Sequence, residues 1–318
     1  MKLPVFFLFL LLPAVSLATD GVLEINQTCA TSQAGCFAGD TGGFPVTIGG
    51  SAGRSYRLTS ELNTGGATTV GIQISATRTT IDLNGFGING FAIGSKNDSG
   101  HGISGAASAS FATIKNGSLR GHRGWGIALG DAEGVKIQDL VVEFNANGGV
   151  QVGDNAHVVG NRIASNGSAT DDGEILNDHG VITGSGALVS DNTVSDSGAQ
   201  GIRCALAGVG GTFGGCVISN NAVNTSGSSG ITANSSLVSG NSVRLAGGSG
   251  ISAFGGTVAR DNHVSSCDSF GLSGDVSFSY GENTFRGNAS GGVFGVGPSA
   301  NLGGNYCLGP GVTAPSCP

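Results

Sequence analysis

Six times between Gly149 and Phe285 the chain writes the same short pattern, and that pattern decides what it can fold into. Each copy opens with Gly followed by Ile, Val or Leu, at Gly149, Gly180, Gly201, Gly230, Gly250 and Gly271. Each then reaches an Asn with an apolar residue two places on: Asn161/Ile163, Asn192/Val194, Asn221/Val223, Asn241/Val243, Asn262/Val264 and Asn283/Phe285. The steps from Gly230 to Gly250, Gly271 and Gly292 are 20, 21 and 21 residues, and weaker copies at Gly71, Gly102 and Gly126 extend the phase backwards. A period of this length is that of a solenoid, whose units bury their apolar faces only against the next unit.

Parity within a copy gives the local structure. Ile251 is followed by polar Ser252 and Val264 is preceded by polar His263, an alternation that makes short, half-buried strands. Sixty glycines in 318 residues rule out long helices. Three short strands and three turns fit one coil, and stacked coils pair in parallel with a rise of about 4.8 Å. The expected fold is all-β, a single-domain parallel β-helix over residues 69–305. The recurring Asn tolerates a left-handed bend, and stacked Asn side chains form hydrogen-bond ladders, so these six are expected to be structural.

With its Gly-Ile openings and Asn turns, the stretch from Gly71 to Asn305 resembles the right-handed parallel β-helix superfamily, the pectate-lyase-like fold, and in particular its bacterial parallel-β-helix-repeat proteins. The resemblance implies a right-handed coil and, because the fold hosts lyases, hydrolases, epimerases and adhesins, no single activity. Polygalacturonase-like hydrolases carry Asp-Asp before Gly-His-Gly; here Gly100-His101-Gly102 precedes Asp171-Asp172 and the outer motifs of that family are missing.

Residues 1–18 read as a secretory signal peptide: Lys2, an apolar run from Val5 to Leu12, and a small-residue end cut after Ala18. The expected location is secreted or periplasmic. Residues 19–68 lack the repeat and are read as an N-terminal cap that covers the first open coil, and residues 306–318 as a C-terminal tail. Seven cysteines suit an oxidising compartment. Neighbourhood in the chain pairs Cys29 with Cys36, Cys204 with Cys216 and Cys307 with Cys317, which leaves Cys267 as a small core side chain.

Departures from the period carry the functional expectations, because function on a rigid stack sits in projecting loops. Three coils are long, with extra residues at 91–101, at 165–179 and between Cys204 and Cys216. The second and third lie a coil apart and are expected to form one wall of a groove. The second holds Asp171, Asp172, Glu174, Asp178 and His179, with Arg203 on the next coil. Paired carboxylates of this kind hold calcium or act as general acid and base on a glycosidic bond, Asp178-His179 supplies a base with a carboxylate partner, and Arg203 binds a substrate carboxylate or takes an α-proton. Asp171, Asp172, Asp178, His179 and Arg203 are therefore the candidate catalytic residues of a polysaccharide lyase or glycoside hydrolase. Acids in a Gly-rich loop serve equally as solvated turn formers.

The column before each opening Gly reads His101, Trp125, Gly148, His179, Gln200, and the outward face of the same strands reads Gln73, Ser104, Gln151, Arg203, Thr232, Ser252, Ser273. His101, Trp125, Gln151 and Gln200 are the candidate substrate-binding residues, the indole as a sugar-stacking ring. A net charge of -7 repels nucleic acid, and an acidic polysaccharide would need a bridging cation. The reading is of a protein that binds or processes polysaccharide; the alternative is a non-catalytic surface or matrix scaffold.

Overall fold

A computed structural model describes residues 21–91, 99–167, 178–204, 214–275, 277–295, 300–309 and 317. Its strands pair in parallel throughout the described residues and stack as three ladders. The first is an eleven-stranded sheet running from Val46–Ile48 through Trp125–Leu129, Gly148–Val152, His179–Thr183 and Ile202–Cys204 to Gly291–Gly295. The second climbs through strands such as Leu188–Ser190, Val217–Ser219, Leu237–Ser239 and Val258–Arg260. The third climbs through Thr193–Ser197, Ala222–Ser226, Ser242–Ala246 and His263–Ser265. One coil takes one strand from each ladder, and Thr113–Arg120 and Lys136–Glu143 run through the last two without a break.

The register explains why the two sequence signatures travel together. Ile202, Ile231, Ile251 and Leu272 stand directly over one another, each fully buried. The Gly before each of them lies against the apolar residue that follows an Asn: a Cβ on Gly201 would run into Val223, on Gly230 into Val243, on Gly250 into Val264 and on Gly271 into Phe285. Gly is required there by close approach across the coil.

Asn161, Asn192, Asn221, Asn241, Asn262 and Asn283 are each 1–2% exposed and form a continuous ladder. The backbone N–H and Nδ2 of each donate to Oδ1 of the next, at 2.9–3.0 Å from Asn161 to Asn262. Asn283 donates to Asn305 in the same way. The left-handed bend expected of these Asn belongs instead to the residue before them: Gly160, Asp191, Asn220, Gly240, Asp261 and Glu282 have φ between 55 and 70°. The Asn keeps ordinary backbone angles and spends its side chain on the ladder.

A second turn column, not visible as a motif, repeats the device. Asn145 donates to Asn166 Oδ1 through N and Nδ2, and Cys267 N donates to Asn288 Oδ1 at 3.1 Å. Ser197, Ser226 and Ala246 fill the column in between. Cys267, 2% exposed, is the free cysteine and takes one position of this column.

The ladders reach further back than the Gly-Ile phase. Val46–Ile48 pairs with Ile72–Ile74, and Val22–Ile25 pairs with Ser55–Leu58. The segment read as a cap thus supplies strands of the first coils, and its non-repeating part is the turn of helix Gln27–Ala30 with the Cys29–Cys36 bridge. Cys204–Cys216 and Cys307–Cys317 are the other disulfides. Such bridges fit an oxidising location outside the cytoplasm. No helix among the described residues is long and apolar enough to cross a membrane. Residues 1–18, read above as a signal peptide, lie outside the described residues.

Candidate functional site

Two columns of side chains face outward from the eleven-stranded sheet and run along the axis. One is the register Gln73, Ser104, Ala128, Gln151, Ile182, Arg203, Thr232, Ser252, Ser273, Phe294. The other, three residues earlier on each strand, holds Trp125, Gly148 and His179 in register, continued by Gln200, Ser229 and Phe270. Contacts between the columns confirm that both face the same way: Ser229 Oγ lies 2.8 Å from Ser252 Oγ, and the Phe270 and Phe294 rings stack. Arg203 is the one Lys, Arg, Asp or Glu in either column.

The roots of the long loops frame this face. The segments 92–98 and 168–177 enter just before strands Ile103–Gly105 and His179–Thr183, whereas 205–213 leaves just after Ile202–Cys204. The second and third loops are therefore rooted at opposite edges of the sheet and not on one wall, because they interrupt different corners of the coil. Asp171, Asp172 and Glu174 lie outside the described residues.

Asp178 and His179 are shut in, at 1% and 3% exposure. Asp178 sits between Gly167 and Gly198, either of which would meet its Cβ if it carried a side chain, at 2.6 and 2.9 Å. Gln200 N donates to His179 Nδ1 at 3.3 Å, so a neutral ring carries its proton on Nε2. Trp125 N makes the same bond to His101 Nδ1 at 2.9 Å. Two histidines of this column, three coils apart, each accept the next coil's amide, so the contact is not peculiar to His179.

Trp125 does not serve as an open stacking ring. It is 4% exposed, and its indole occupies the space that a Gly148 side chain would need. Gln151, Gln200 and Arg203 are half-buried and reach the face. Here the polar accounting is incomplete. Gln200 Oε1 and Thr232 Oγ1 are buried atoms with no hydrogen-bond partner among the described residues. Among the described residues no carboxylate pairs with Arg203, which stands beside Thr232 in register. Among the described residues no group of three His, Cys, Asp or Glu is placed to hold a metal. Phe294, 47% exposed, and Ile182, 6% exposed, also belong to this face; the 21-residue step from Ser273 marks the first, and nothing in the pattern marks an apolar residue in the second position.

The sequence matches no protein-family model and no curated protein. Solved structures do match. The Dettilon tailspike protein superposes with a TM-score of 0.57 at 16% identity, over 78% of this chain and 60% of the tailspike chain. The chain thus spans about 60% of that protein's length. A mutant of the periplasmic alginate epimerase AlgG superposes with a TM-score of 0.52 at 13% identity, over 90% of this chain and 82% of that one. A second AlgG mutant gives 0.50 at 14% identity, over 90% and 83%. At these identities the likeness speaks for architecture, and with the parallel ladders described above it establishes that the chain is a right-handed parallel β-helix.

Proposed function

We propose that the chain is a secreted protein that binds polysaccharide along the outer face of its eleven-stranded sheet, gripping it at Gln200, Arg203 and Thr232. The observation that carries this reading is Arg203, half-buried on the face beside Thr232 in register, with the half-buried Gln200 three residues before it. Its guanidinium is engaged by no described carboxylate, and Gln151 adds a polar group two coils away, with Ile182 between them. A fold shared with an alginate epimerase fits the reading.

Processing of the bound glycan would fall to Asp178, His179 and Arg203, with Asp171 and Asp172 on the adjoining loop as the acids for calcium or for acid-base work, and His101 as a further binding group. A second reading, binding without catalysis, is favoured by two observations: His179 makes the same cross-coil bond as His101, and Asp178 is closed off from solvent.

The test is a panel of neutral and acidic polysaccharides, with and without calcium, scored for binding and for release of reducing ends or unsaturated uronate. The expected result is a retained glycan whose affinity drops about tenfold or more in Arg203→Ala and in Gln200→Ala. Product that disappears in His179→Ala identifies an enzyme; binding without product in the wild type identifies a non-catalytic protein. A wild-type protein that retains no glycan sinks the proposal.

A further inference from the structure

We infer that Phe270 and Phe294 form a stacking platform for the ring of a neutral sugar at the C-terminal end of the sheet face, an inference that rests on the glycan reading above. Phe270 belongs to the column of His179 and Gln200, and Phe294 to the column of Arg203 one coil further on. Their ring centroids are 4.8 Å apart with planes 21° from parallel. Phe270 covers one side of Phe294, yet Phe294 is still 47% exposed on the same face as the polar track. The stacked pair puts an open ring surface on a face that is otherwise hydroxyl-lined at this end.

What lies between the platform and Arg203 defines the occupant. Thr232, Ser252 and Ser273 lead from the cation to the rings, with Ser229 Oγ 2.8 Å from Ser252 Oγ and Ser252 Oγ 3.5 Å from Ser273 Oγ. Four coil steps at about 4.8 Å put roughly 19 Å between Arg203 and Phe294, the reach of a short oligosaccharide. Neither column carries an acid or a cation over that span. A pyranose has the matching anatomy: hydroxyls around its edge for the serines, and a face of C–H groups for the aromatic ring. A uronate or sulfated unit would bring a charge that no residue of these two columns beyond Arg203 neutralises, on a protein whose own net charge is -7.

The experiment is calorimetric titration with neutral β-1,3-, β-1,4- and α-linked gluco-oligosaccharides and galacto-oligosaccharides, alongside oligomers of alginate and polygalacturonate. Wild type, Phe294→Ala, Phe294→Leu, Phe294→Trp and Arg203→Ala are compared, each with its melting temperature. The inference predicts that a neutral oligosaccharide binds, that Phe294→Ala and Phe294→Leu weaken it about tenfold at unchanged melting temperature, and that Phe294→Trp keeps it. Phe294→Leu retains apolar bulk and so separates a lost ring from a lost fold. If Arg203→Ala weakens binding while both Phe294 truncations bind like the wild type, or if only the acidic oligomers bind, the platform is overturned and the glycan reading stands. If the wild type binds none of the oligomers, both fall. A concentration-dependent dimer abolished by Phe294→Ala, with glycan affinity unchanged, also overturns the platform and gives the ring to self-association.

Discussion

Asn192 donates both its backbone N–H and its side-chain Nδ2 to the single Oδ1 of Asn221, 29 residues further along, at 3.0 Å each. Asn221 passes the arrangement on to Asn241 and also donates from Nδ2 to Val189 O and Ser219 O. Asn221→Ala removes the acceptor for two buried donors and the donor for these carbonyls. We expect a loss of about 3 kcal/mol or more in urea unfolding. Asn305→Ala, at the half-buried end of the ladder, should lose only about 1 kcal/mol.

Stability should fall in mild acid through His122. The side chain is 1% exposed, and burial holds its imidazole down from 6.5 to about 4, against the hydrogen bond from Nε2 to Ile88 O that favours the charged form; His101 nearby pushes it further down. The folded state prefers the neutral ring while the unfolded chain protonates near 6.5. Its contribution is therefore full above pH 6.5, falls as the pH drops, and levels off below pH 4. The total is about 3 kcal/mol. His122→Asn, the residue type that follows it in the same turn column at Asn145, should flatten this part of a pH series of urea midpoints.

Cys267 should be silent to thiol reagents until the protein unfolds. Burial pushes its thiol up from the ordinary range, and its Sγ faces Ser265 O at 3.5 Å inside the coil. Labelling by a chromogenic disulfide should appear only across the denaturation transition. Cys267→Asn would extend a ladder that already holds Asn288 on the next coil, so we expect stability unchanged or raised by about 1 kcal/mol.

Trp125, the sole tryptophan, is a reporter of the face without being part of the grip. Its burial should give blue-shifted emission that glycan leaves unquenched. Gly148→Ala forces a Cβ into the indole; we expect red-shifted emission and about 1–3 kcal/mol of destabilisation. Quenching by glycan in the wild type would return Trp125 to the binding surface.

The sequence showed the stack clearly because Gly230, Gly250 and Gly271 recur at nearly constant step, and because each Gly and each apolar residue after an Asn pack against each other in every coil. The three disulfides were legible because each closes a short loop, with partners 7, 12 and 10 residues apart. The second turn column was not, because its occupants drift from Asn145 through Ser226 to Cys267 and only a common backbone slot unites them. Nor was the placement of the long loops: loop length is written in the sequence, but the corner of the coil that bears it depends on where each strand ends. The burial of Trp125 followed from an absence, the missing side chain at Gly148, which no motif records.

The Asn ladder hands the same bonds from one rung to the next, so a rung at residues 230–249 is, to its neighbours, much like one at 250–270. Length then becomes a quantity the protein changes in whole units: a duplicated or excised turn alters the rod by about 4.8 Å and leaves its two ends as they were. Evolution or an engineer can use such a chain as a ruler.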